Sequence, residues 1–263
     1  MEIGKLPGIQ DLQLNNEKIR IAGNKNGTLT TINKYKMKTS YYLIFIILFL
    51  SNTVFAQLKK DSVLLFNNND LTSINVVTIE ETYLGKKSLK VVDNGKNAEV
   101  KFVKISNSDF KNGIIEIDIS GKPAETSSEQ ARGFVGIAFR INNDNSTFEC
   151  IYLRPTNGRA DEQIRRNHSV QYTSYPDFPW FKLRKDFPEK YESYVDLVTG
   201  EWTKIKIEVN GDKAKLYVHG NSQPTLIVND LKLGSDNNGS IGLWIGPGTE
   251  AHFSNLLITK IDN

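Results

Sequence analysis

From Val63 onward, apolar and polar positions alternate in short runs, and a helical 3.6-residue period is scarce. Residues 88–92, 98–103 and 114–119 alternate or run apolar between Gly, Asn and Asp breakers, which predicts strands. Residues 134–139 and 148–153 flank Asn142-Asn-Asp-Asn-Ser146, a loop-forming run that predicts a hairpin. Between residues 202 and 209, Ile205, Ile207 and Val209 share one face, with Lys204, Lys206 and Glu208 opposite. Asn210-Gly211 is expected to supply the positive φ angles of a tight turn, and Ala214, Leu216 and Val218 return along the partner strand. Two closing strands are expected over 240–245 and 252–258. No segment repeats at the period of a propeller or solenoid. Roughly a dozen short strands predict an all-β, two-sheet antiparallel sandwich of the jelly-roll kind. The charge-alternating strands suit its outer faces and the apolar ones the layer between sheets.

Strand parity then sorts residues by face. If the hairpin is symmetric about Asp144, then Gly136, Ala138, Arg140, Cys150, Tyr152 and Arg154 share one side. Small residues beside Arg and Tyr read as a groove floor, with Val135, Ile137, Phe139, Ile151 and Leu153 turned to the core. A one-residue slip instead sets Arg140 opposite Glu149.

The stretch 200–220, with its Trp-Thr…Val-Asn-Gly…Leu-Tyr-Val-His-Gly rhythm, resembles the penultimate hairpin of concanavalin A-like lectin/glucanase domains, including laminin G-like modules. Residues 239–244 and 253–258 are similar to that superfamily's closing strands, and 110–119 to an earlier one. The resemblance covers most of residues 60–260 and implies a fold. It does not imply one function, because lectins, glycoside hydrolases, 3-keto-disaccharide hydrolases and adhesion modules share the architecture. Glu116-Ile-Asp118-Ile-Ser120-Gly121 resembles the catalytic strand of family 16 glycoside hydrolases, but Ser120 or Gly121 stands where the acid/base carboxylate would be. An alternating strand with a solvated face explains Glu116 and Asp118 without that chemistry.

The unusual part is the long segment 155–195, read as a structureless loop roofing a groove built by 134–154. Long loops on a sandwich tend to carry function. Its residues suit sugar recognition, with aromatic faces for pyranose C–H surfaces and fork-like donors for vicinal hydroxyls. The candidate binding residues are Arg140, Tyr152, Arg154, Asn157, Arg159, Arg166, Asn167, Gln171, Tyr172 and Trp180. If the domain is an enzyme on glycosides or keto-sugars, the candidate acids and bases are Glu149, Asp161, Glu162 and His168. An Arg–carboxylate network holding the segment to the sheet is the competing account, and a flat adhesion surface is a third.

Composition narrows the classes. The chain has 263 residues with 39% hydrophobic, 10% aromatic and 24% charged side chains, which excludes a disordered or collagen-like chain. The net charge is +3, yet seven of 33 basic and only three of 30 acidic residues lie in 1–56. The near-neutral remainder gives no electrostatic case for nucleic acid or an anionic membrane. Residues 37–56 have the form of a secretory signal: Met37-Lys-Thr-Ser, an apolar run from Tyr41 to Leu50, and Val54 and Ala56 before a cut that frees Gln57. A membrane anchor is the alternative, but Ser51, Asn52 and Thr53 interrupt the run early. The polar residues 1–36 are expected to be a disordered extension upstream of a true start at Met37. The body 57–263 is expected to be one exported domain, periplasmic or extracellular, with no membrane contact after cleavage. Cys150 is the single cysteine and reads as a core residue, so no internal disulfide is expected. No His or Cys spacing suggests a transition metal, and no cofactor is expected. The Asn/Asp-rich turns 142–145 and 236–238 have the oxygen chemistry calcium favours, although such turns need no metal.

Overall fold

The structure, a computed structural model, describes residues 58–62, 65–66, 69–96 and 98–261. The expectations for residues 1–56 lie outside the described residues. The strands are β1 (Leu58–Ser62), β2 (Leu71–Ile74), β3 (Val76–Tyr83), β4 (Lys86–Asp93), β5 (Phe102–Phe110), β6 (Gly113–Pro123), β7 (Val135–Ile141) and β8 (Phe148–Leu153). They are followed by β9 (Val170–Tyr175), β10 (Glu192–Ser193), β11 (Thr203–Asn210), β12 (Lys213–Val218), β13 (Leu226–Val228), β14 (Gly239–Ile245) and β15 (Thr249–Ile261). They form two antiparallel sheets. The first runs β13-β12-β11-β6-β15-β4-β3, with β1 pairing the far end of β15; the second runs β10-β9-β8-β7-β14-β5-β2. The expected sandwich is the one found.

Alternation drives the packing. In β6, Ile115, Ile117 and Ile119 are buried while Ile114, Glu116 and Asp118 are partly exposed; β11 answers with Ile205, Ile207 and Val209 inward. Both sets meet Val135, Ile137, Phe139, Ile151 and Leu153 of the second sheet in one continuous core. Each fully buried aliphatic side chain contributes roughly 1.5–3 kcal/mol of transfer free energy. Glu116 and Asp118 lie on the outer face of the first sheet, where Asp118 accepts from Lys86 (2.7 Å) and Asn255 (2.7 Å). That pairing gives the family 16-like strand a structural role.

Three local expectations are corrected. The strand expected over 98–103 begins only at Phe102. In the β11–β12 hairpin Asn210 still pairs with Lys213, so the two-residue loop is Gly211-Asp212, and only Gly211 takes a positive φ, +59°. The segment 155–195 is not structureless. It holds three short helices, α1 (Pro155–Gly158), α2 (Gln163–Asn167) and α3 (Trp180–Asp186), and supplies β9 and β10 to the second sheet.

Candidate functional site

The hairpin β7–β8 pairs Ala138 with Cys150 and Phe139 with Glu149, symmetric about Asp144 as expected. Its outward residues join Phe102, Phe148 and Tyr152 in a second apolar cluster, with Phe134, Tyr175 and Trp244 packed against it. This cluster floors a cleft of about 1020 Å³, at the upper end of the roughly 300–1,000 Å³ usual for small-ligand sites. Tyr152 lies against Trp244 at 4.7 Å between centroids and meets Phe134 edge-on at 6.2 Å. The floor is flat because Gly136 lacks a side chain: a Cβ there would sit 2.5 Å from the Tyr152 Cα. Burial pushes the Tyr152 phenol up to about 12, so it stays protonated at neutral pH.

The side of the cleft built from 154–184 is polar. Arg154 donates to Tyr152 Oη (3.0 Å), Gln171 Oε1 (3.0 Å) and the His168 carbonyl (2.9 Å), and reaches Glu192 Oε1 at 3.3 Å. Glu192 also accepts from Arg184, at 2.9 Å to Oε2 and again through Oε1. His168 Nδ1 lies 3.1 Å from Glu192 Oε2 but off the hydrogen-bond line. Burial lowers the His168 pKa, the Glu192 charge raises it, and the Arg184 and Arg154 charges lower it further; the net shift is downward. The imidazole is therefore neutral at pH 7. Trp180, 44% exposed, stands at the rim with the Arg184 guanidinium 4.8 Å and the Arg154 guanidinium 5.9 Å from its ring centre.

Of the candidate residues, the cleft brings together Tyr152, Arg154, Asn157, His168 and Trp180. Gln171 lies behind Arg154 and spends its amide nitrogen on the carbonyls of Tyr172 and Tyr191. Arg140 is not on the groove face. A β-bulge opposite Ile241 turns it, at φ +54°, onto the carbonyls of Lys111, Gly211 and Gly234. Tyr172 and Glu149 face the sandwich interior, bonded to each other at 2.7 Å, while Glu149 also accepts from Leu233 N at 2.8 Å. Burial pushes the Glu149 carboxyl up against the pull of those bonds, and it pushes the Tyr172 phenol up as well. Arg159, Asp161, Glu162, Arg166 and Asn167 do not line the cleft: Arg159 pairs with Asp196 (2.7 Å), Arg166 donates to Tyr194 Oη (2.8 Å), and Asn167 accepts from Gln163 (2.7 Å).

Sequence reasoning missed Phe134, Trp244, Arg132, Arg165, Arg184 and Glu192. The outward parity of Phe134 and Trp244 was a usable signal; the phase of a five-residue helix, which turns Arg165 rather than Arg166 to the cleft, was not. At the turn 142–145, Lys104 Nζ donates to the Asn142 carbonyl (2.9 Å), the Asn143 carbonyl (3.2 Å) and Asn145 Oδ1 (2.8 Å), so an ammonium occupies that cup of oxygens. Among the described residues no cluster of three or more His, Cys, Asp or Glu could hold a metal.

No protein-family model matches the sequence, and no curated protein matches it. Among solved structures, the chain is similar to the carbohydrate-binding module CBM66 from Bacillus subtilis, at 16% identity over 73% of this chain and 97% of that one, with a TM-score of 0.49. It is similar to peanut lectin at 10% identity over 78% and 97%, TM-score 0.46. It is similar to a Bacillus licheniformis β-glucanase at 15% over 80% and 95%, TM-score 0.39. At these identities and TM-scores the likeness carries no argument about what this chain binds or does.

Proposed function

We propose that this protein is an exported saccharide-binding module whose ligand lies in the cleft on the outer face of the second sheet. One observation carries the reading: an aromatic floor of Tyr152, Trp244 and Phe134 lies within the same cleft as Trp180 and the donors of Arg154, Arg184 and Asn157. Stacking surface plus convergent hydrogen-bonding groups is what a pyranose, apolar on its faces and polar at its edge, requires. The signal-like pattern of residues 37–56 supports export.

Hydrolysis with retention needs two carboxyls about 5 Å apart at the scissile bond. Of the candidate acids and bases, only His168 lines the cleft; its lining carboxylates are Asp93, bound by Lys101 (2.8 Å) and by Gly248 N (2.8 Å), and Glu99, which faces Tyr175. Binding therefore accounts for the geometry with fewer groups than catalysis does.

The test is a time course of proton NMR spectra of an oligosaccharide pool, neutral and acidic, mixed with the full chain. Broadening of one sugar without new signals is expected. Trp180→Ala should abolish it while changing stability by less than about 1 kcal/mol, since the ring is half exposed. New anomeric or keto-sugar signals would replace the binding reading with a hydrolase, and unbroadened spectra across the pool would overturn it.

A further inference from the structure

Arg132, Arg154, Arg165 and Arg184 all line the same cleft. Glu192, buried behind them, answers Arg154 and Arg184. Among the described residues no carboxylate pairs with Arg132 or Arg165. Among the described residues Arg132 donates only to the backbone carbonyls of Glu129 and Ala131, and burial together with the charges of Arg165 and Arg154 pushes its guanidinium below the ordinary value. Arg165 Nε is buried and has no hydrogen-bond partner among the described residues. Nearby, Asn157 is 5% exposed and leaves its Oδ1 equally bare. The lining carboxylates do not offset this charge. Asp93 is committed to Lys101 and to the amides of Gly95 and Gly248, and Glu99 faces Tyr175.

Crowded, partly desolvated like charges are unfavourable unless an anion completes them, and the guanidinium fork matches a carboxylate or a sulfate. We infer that the cleft takes an acidic saccharide whose rings stack on Trp244 and Trp180 while a carboxylate or sulfate is received by Arg132 and Arg165. The bare Asn157 Oδ1 then accepts from a ring hydroxyl. This rests on the saccharide reading and adds the charge of the ligand.

The experiment titrates the full chain with oligomers of polygalacturonate, of sulfated dextran and of neutral dextran at about 0.15 M salt. Binding of an acidic probe is expected, with the neutral oligomer at least about tenfold weaker, as loss of a charge-assisted hydrogen bond implies. Preference between the first two distinguishes a uronic acid from a sulfate ester. Arg132→Gln and Arg165→Gln should each weaken the acidic probe by about tenfold or more, and Arg159→Gln, at an exposed pair outside the cleft, should not. Equal binding of the neutral oligomer, or unchanged affinity in Arg165→Gln, overturns the acidic ligand while leaving saccharide binding intact. Binding of none of the three, together with unbroadened spectra in the sugar pool, removes both.

Discussion

Arg140 and Arg154 stand at opposite ends of the β7–β8 ladder, and both are nearly sealed from solvent, at 1% and 5% exposure. Arg140 gives its donors to three backbone carbonyls contributed by separate loops at 111, 211 and 234. Nearby Glu149, Tyr172 and Asp212 help to hold it cationic against burial. Arg154 gives its donors mostly to buried side chains, Tyr152, Gln171 and Glu192, while it lines the cleft itself. Loops brought to a buried cation become a clamp. Side chains brought to one at the edge of a cleft become a surface whose polarity can be matched by a ligand.

Breaking the clamp should have the largest effect. Arg140→Met orphans three carbonyls and leaves Glu149 without its neighbouring cation, which should cost about 3–5 kcal/mol in urea unfolding. A loss below about 1 kcal/mol would mean that the loops at that end hold themselves. Breaking the other end should cost less stability and more affinity. Glu192→Gln removes the counter-charge of Arg154 and Arg184, and it should lower the His168 pKa further, because Glu192 is the charge that raises it. An NMR titration in which the imidazole moves upward would contradict that electrostatic assignment.

The smallest effect is on pH. His168 and His252 are both held below their ordinary 6.5 by burial, His252 being stacked on Tyr83 at 3.7 Å with its Nε2 2.7 Å from Glu81. The unfolded chain then takes up protons that the folded chain refuses, so stability present above about pH 6.5 is lost as the pH falls through the lowered values. Thermal midpoints should decline from pH 7.5 toward 5, and His252→Phe should flatten the decline while retaining the stack; an unchanged slope in that variant would assign the effect elsewhere.

The same two arginines mark what could be read from the residues alone. Parity about Asp144 correctly turned Tyr152 and Arg154 outward and Ile137, Phe139 and Ile151 inward, because a strand's period of two is enforced wherever one face is buried. Parity failed at Arg140, where one extra residue opposite β14 flips the chain, and a positive φ at an arginine carries no sequence cue such as glycine would. The outer-face alternation of β6 and β11 was equally plain, since charge and aliphatic positions alternate without interruption. The cleft was legible only in part. Its floor comes from strands, but Arg132, Arg165, Arg184 and Glu192 sit on turns, short helices and a two-residue strand whose facing depends on tertiary contacts. Asp161, Glu162 and Arg166 have the right chemistry but do not line the cleft.

Cys150 lies in the cluster beneath the cleft, among Phe102, Phe148 and Tyr152. It is wholly shielded, and burial pushes its thiol well above the ordinary value, so in the closed molecule it is chemically silent. A thiol reagent can find it only in those moments when the aromatic layer parts from β8. Being the single cysteine of the chain, it reports on that layer and on nothing else. The protein thus carries its own clock for how often the floor beneath a bound ligand would breathe.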